Sequence, residues 1–223
     1  IEAATDKSEQ FTTSVKGMVV TVTPKENTTE QAITATLTIK LMKAGAAVDT
    51  KTVAISQAGK IVGSGYVRVT SITSGKKYLI VAENGDKYAV LPASAGLNAS
   101  KLFDGIAITV ANGKIEANAA NNAHAVTIVA SDGAYTIQNT AGKFIEYANS
   151  SGKTQLAIVD ASSRKWVADE ETAGTFLIKD SEVTGRALLY RNGDTEYDNR
   201  FGGYATSNIG KGYITVALYE LSE

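Results

Sequence analysis

The chain of 223 residues contains no cysteine, two prolines, one histidine and one tryptophan. Without cysteine there can be no disulfide, no thiolate metal ligand and no thiol nucleophile. Lys and Arg are spread evenly, the formal net charge is −1, and no run of like charge forms the basic stripe that a phosphate backbone requires. Nucleic acid is therefore not an expected partner. No apolar stretch reaches the roughly 18 residues needed for a membrane-spanning helix. Neither a cofactor nor a metal site is expected.

What is abundant is Val, Ile, Thr and Tyr, in short runs separated by Asn-Gly, Asp-Gly, Ser-Gly and Ala-Gly pairs. That punctuation predicts an all-β fold with little helix. One helical turn is expected within Ala93 to Phe103, after Pro92, where β-branched residues thin out. With 43% hydrophobic and 20% charged residues, the chain can bury a core. Its length suggests two domains.

Three strands are predicted near the start: Val19 to Thr23, Ile33 to Met42 and Val48 to Ser56. In the second, Ile33, Ala35, Leu37, Ile39 and Leu41 alternate with polar or small residues, so one face should point inward. Ala44-Gly45-Ala46 then turns the chain back into a hairpin. The first sixteen residues supply at most one more strand. The start at Ile1, followed by a polar stretch to Gln10, predicts a processed chain, with a signal peptide and a lipid anchor expected upstream.

The segment Thr21 to Gly59, with Thr-Pro-Lys-Glu-Asn-Thr-Thr leading into a Thr-rich strand and closing on Val53-Ala54-Ile55-Ser56-Gln57-Ala58-Gly59, resembles the second half of a BACON domain. That resemblance implies a partial immunoglobulin-like sandwich over residues 1–60, an extracytoplasmic, secreted or cell-surface setting in Bacteroidetes, and contact with carbohydrate or mucin.

A glycine-punctuated linker, Gly59 to Gly65, precedes a second domain over residues 66–223. Three imperfect copies of one unit run through it. Each opens on an aromatic strand, at Tyr66, Tyr135 and Phe176, and turns at Gly75-Lys76, Gly142-Lys143 and Gly185-Arg186. Each then carries two alternating apolar positions: Tyr78 and Ile80, Ile145 and Tyr147, Leu188 and Tyr190. Two further strands per copy complete three sets of four. The first copy also holds an insertion at about 100–118, read as an extra hairpin, Ile106 to Val110 and Lys114 to Ala117, about Asn112-Gly113. The pattern resembles a β-trefoil, in which six strands close a barrel and three hairpins cap it; any closed β-barrel would also fit. Arg164-Lys165-Trp166 stands where ricin-type trefoils carry Gln-x-Trp. The missing Gln argues against ricin-like sugar binding.

His124 stands alone in an Ala-Asn-rich stretch, with no partner signature for a metal or a catalytic triad. Asp194, Glu196 and Asp198 alternate, and on an extended strand would face one way about 7 Å apart. Inverting glycosidases instead set acids on opposite sides of the sugar. The expectation is a protein that is not an enzyme. The candidate binding set is Trp166, Arg191, Asp194, Tyr197, Asp198, Asn199, Arg200 and Tyr204, since aromatic faces stack on sugars while Asp, Asn and Arg exchange hydrogen bonds with hydroxyls. A packed tyrosine and tryptophan core is the alternative reading of the same residues. The partner expected is a glycan or a cell-surface protein. Three triplets, at Asn27, Asn98 and Asn149, match glycosylation acceptors.

Overall fold

The computed structural model describes residues 1–27, 29, 32–57, 65–148, 153–172 and 174–222. Their fold is all-β, and the chain divides into two compact units, Ile1–Val62 and Gly63–Glu223. Most of the predicted linker, and the triplet at Asn149, lie outside the described residues.

In the N-terminal unit, Glu2–Thr5, Ile33–Lys43 and Ala46–Gln57 form an antiparallel three-stranded sheet with Ile33–Lys43 in the centre. Phe11–Lys16 and Val19–Pro24 form a separate hairpin. The start of the chain thus supplies two strands where one at most was expected. Both are rich in Thr, Ser and Ala, and only Phe11 among their residues is buried, so they carry little apolar alternation to read. Phe11, Ala35 and Leu37 are the buried apolar side chains among the described residues of this unit.

In the C-terminal unit, six strands close on themselves. Lys76–Asn84 pairs with Val126–Ser131, which pairs with Ala134–Asn139, then Trp166–Thr172, Thr175–Asp180 and Val216–Ser222, and the last returns to Lys76–Asn84. Every junction is antiparallel. Alternate positions on these strands, among them Tyr78, Ile80, Val126, Ile128, Ile137, Trp166, Phe176, Ile178, Val216 and Leu218, are buried in one core. Period-two alternation with one face inward produces that result directly.

The turn glycines and apolar pairs by which the three copies were read all lie in this unit. Their turn glycines, Gly75, Gly142 and Gly185, all adopt left-handed φ, +82°, +76° and +79°, which a side chain would strain. The three apolar pairs read from the sequence all enter the same core. In the second and third copies, the two middle strands form hairpins: Phe144–Tyr147 with Leu156–Val159, and Arg186–Arg191 with Arg200–Ala205.

The first copy departs from that plan. Gly65–Arg68 lies outside the ring, between Val216–Ser222 and the insertion strand Lys114–Glu116, and Lys76–Asn84 takes the ring position. Five consecutive buried residues, Tyr78 to Ala82, follow from this placement. Tyr78, Ile80 and Ala82 face the main core, whereas Leu79 and Val81 face a second one with Tyr66, Ile115 and Tyr219.

The insertion does not fold as the expected hairpin. The Asn112-Gly113 turn forms, with Ala111 and Lys114 hydrogen-bonded in both directions, but its arms diverge. Ile106–Ala107 pairs with Lys87–Val90, and Lys114–Glu116 with Gly65–Arg68. Each arm instead extends a strand edge that is already part of the sheet, over two and three residues. Ala93 to Phe103 holds turns and no helix; the one α-helical turn among the described residues is Ala119–Asn122, with Asn118 Oδ1 accepting from the Asn121 N–H as its N-cap.

Candidate functional site

Of the three aromatic candidate binding residues, two are inside. Trp166 is 1% exposed, and its Nε1 donates to the Ile145 carbonyl at 2.8 Å, so it offers no face to a ligand. Tyr204 is buried edge-to-face on Tyr213, their centroids 4.9 Å apart. Burial raises its pKa, and its hydroxyl finds no partner among the described residues. Tyr197, 59% exposed, projects alone. The tryptophan platform expected of a lectin is therefore absent from these positions.

The polar members are occupied by one another. Asp198 Oδ2 accepts from the Thr195 N–H and hydroxyl, and Oδ1 meets Arg191 Nε at 2.6 Å. The hydrogen bonds from Thr195, ahead of the Arg191 charge, hold the Asp198 carboxyl below its usual range. Arg191 also lies over the Tyr213 ring, 5.8 Å from its centroid. Arg200 Nε pairs with Asp104 Oδ1 at 2.9 Å. Asp194 and Glu196 are exposed and take no part in these pairs. No group of acidic or histidine side chains among the described residues could hold a metal ion. The loop is a self-bonded structure rather than three carboxylates aimed one way.

A different site lies beside it. A cleft of about 460 Å³ is walled by Asn84, Asp86, Lys87, Tyr88, Asn192 and Asn199, with Tyr190, Ala82, Ala89 and Gly105 also lining it. Three elements build it. The Lys76–Asn84 and Lys87–Val90 hairpin turns through Gly85-Asp86; the Arg186–Arg191 and Arg200–Ala205 hairpin brings Asn192 and Asn199; the insertion supplies Gly105, Ala107 and Ile108. The insertion ties the two hairpins together, pairing Asp104 with Arg200 and Phe103 with Phe201 on one side and Ile106 with Val90 on the other.

Tyr190 donates its hydroxyl to Asn199 Oδ1 at 3.0 Å, and Asn199 Nδ2 donates to the Gly193 carbonyl. Burial raises the Tyr190 pKa. By contrast, Asn84, Asp86, Lys87 and Asn192 make no side-chain hydrogen bond or ion pair among the described residues. The cleft thus offers two free amides, a carboxylate and an ammonium.

No known family profile and no curated protein matches this chain. Among solved structures, the crystal structure of the lysenin pore aligns with a TM-score of 0.40 at 8% identity, over 92% of this chain and 69% of that one. So low a score transfers neither fold nor activity.

Asn199 is where the sequence-derived binding set and the cleft meet, and Tyr190, read from the sequence as a core position, lines the cleft beside it. Asn84, Asp86, Lys87, Tyr88 and Asn192 were missed, because Asn-Gly-Asp-Lys and Arg-Asn-Gly-Asp are also ordinary turn sequences. The Gln-x-Trp position has a structural use here. Arg164 meets Asp180 Oδ1 at 2.9 Å and Glu182 Oε2 at 3.0 Å, and Glu146 accepts from the Ser163 and Arg164 N–H groups. His124 follows the short helix, its pKa lowered by burial with no carboxylate contributing.

Proposed function

We propose that this protein is a non-catalytic, extracytoplasmic binding module that takes a carbohydrate in the cleft between the first and third hairpins of its C-terminal unit. One observation carries the reading: hydrogen-bonding side chains of both polarities, Asn84, Asp86, Lys87 and Asn192, stand unpaired around a concave surface floored by Tyr190, Ala82 and Ala89. Sugar hydroxyls donate and accept at once, and amides and carboxylates answer both needs. The volume suits one or two sugar rings. The BACON-like segment and the trefoil-like repeat support a surface setting by resemblance, with the N-terminal unit as spacer.

A glycan array on the full chain, followed by thermal-shift titration of the hits, tests this. A hit should raise the melting temperature, and N84A/N192A should weaken it by about tenfold or more, since hydrogen bonds to ligand hydroxyls contribute roughly 1 kcal/mol each. If no glycan shifts the melting temperature, carbohydrate gives way to protein adhesion or to a spacer with no ligand, the reading favoured by the burial of Trp166 and Tyr204.

A further inference from the structure

The strand Ala46–Gln57 is the longest among the described residues, and it stands at the edge of its sheet. Ile33–Lys43 pairs one side of it, and no strand among the described residues pairs the other. Its side chains are exposed almost throughout, including Val48 at 56% and Val53 at 46%, with Leu41 beside them at 51% on the neighbouring strand. It carries no proline, and although Gln57 at its end bonds Gln10 and the Lys25 carbonyl, the stretch from Ala46 to Ala54 is exposed throughout. A long open edge of this kind is a template for another strand.

Two features select the strand that fits. Thr36 on the central strand gives its N–H and carbonyl to Asp6 on the far side, so its partner Ala54 and, by alternation, Thr50 turn their backbone groups outward, and the Thr50 N–H donates to Asp49 Oδ1 at 2.8 Å. In an antiparallel ladder such groups recur at every second residue. A second copy of the same strand, run antiparallel about a twofold axis at Thr50, sets outward groups against outward groups. In that register Thr50 meets Thr50, and Asp49 of each copy meets Lys51 of the other, twice over. Val48 faces Thr52, and Ala47 faces Val53. Moving the axis one residue on sets Lys51 against Lys51, and moving it two residues sets Lys51 against Val53. Charge therefore favours a single register, as opposite charges directly across a ladder attract and like charges repel. The irregularity at Val48, the extra residue between Leu41 and Met42 of the facing strand, limits the ladder to a short central stretch.

We propose that the Ala46–Gln57 edge is a self-recognition surface that joins two copies of this chain into an isologous dimer through an antiparallel ladder centred on Thr50. On pairing, Asp49 leaves the Thr50 N–H for the partner's Lys51, and the freed N–H donates to the Thr50 carbonyl across the axis. Every contact occurs twice, as a twofold interface requires.

Sedimentation velocity on the full chain across a concentration series, at low and high salt, tests the assembly. The wild type should move from monomer to dimer as concentration rises, and salt should weaken the dimer. D49K alone and K51D alone each put like charges opposite one another and should be monomeric. Mixed in equal amounts they restore opposite charges across the axis, and dimer should reappear in the mixture only. A wild type that stays monomeric throughout would overturn the proposal. So would a dimer that survives in both single variants, which places the contact elsewhere, or two monomeric variants whose mixture stays monomeric.

Discussion

Arg164 and Asp180 show what a single substitution does in a packed interior. The Asp180 side chain is fully buried, and Oδ1 accepts from Arg164 and from the N–H groups of Glu182 and Val183. Removing the guanidinium leaves a buried carboxylate without a counter-charge, and breaking one half of such a pair typically costs 3–5 kcal/mol. The remaining N–H donors set R164A near the lower end, about 3 kcal/mol. Trp166 reports it: as the sole tryptophan and a buried one, its fluorescence follows unfolding of the C-terminal unit in denaturant. His124 gives a pH test. Burial lowers its pKa from 6.5, so the folded state resists the proton that the unfolded chain accepts. The stability this residue contributes is present above pH 6.5 and declines as pH falls below it. Melting temperature should drop on that acid side, and the drop should be smaller in H124Q. In the sequence Trp166 and Arg164 suggested a lectin signature with one residue changed. Burial, which a residue type cannot disclose, assigns both to structure.

At the scale of elements, the alternation in Ile33–Lys43, which holds from Ile33 to Ile39 and fails at the exposed Leu41, and the repeated Gly-cation turns were legible because both rest on local rules: period-two burial and left-handed φ. The path of the insertion was not. Its partners, Lys87–Val90, Arg200–Ala205 and Gly65–Arg68, are remote in sequence, and a two-residue strand carries no pattern that names the edge it joins. The cleft inherits that opacity, since its walls come from three such elements. Gly105 is where the insertion comes closest to the floor. A Cβ there would stand 2.8 Å from Tyr190 Cε2 and 3.1 Å from the Asn199 carbonyl, tighter than van der Waals contact allows. Gly105→Ala should push the Tyr190 ring from Asn199, abolish glycan-induced thermal shift and lower stability by about 1–3 kcal/mol, the range for overpacking. Unchanged glycan affinity at lowered stability would place the ligand outside the cleft.

On the scale of the whole molecule, the two units differ in how much apolar surface each buries within itself. Phe11, Ala35 and Leu37 hold the N-terminal unit, whereas the C-terminal unit encloses a main core of large side chains, including Trp166, Tyr78, Phe103 and Phe201, and two lesser ones. Burying a large apolar side chain contributes about 1.5–3 kcal/mol against the entropy of ordering the chain, so a unit of roughly sixty residues with so few is marginal. A cooperative single transition is then the wrong expectation. Calorimetry should show two, a small early one and a larger late one, with Trp166 fluorescence tracking the late event alone because the tryptophan lies in the C-terminal unit. F11A should move only the early transition, to lower temperature. The same comparison bears on the open edge of Ala46–Gln57: a strand pair across a twofold axis adds stability to the weaker unit by mass action, so the early transition should rise with protein concentration while the late one stays fixed. In D49K the early transition should lose that dependence.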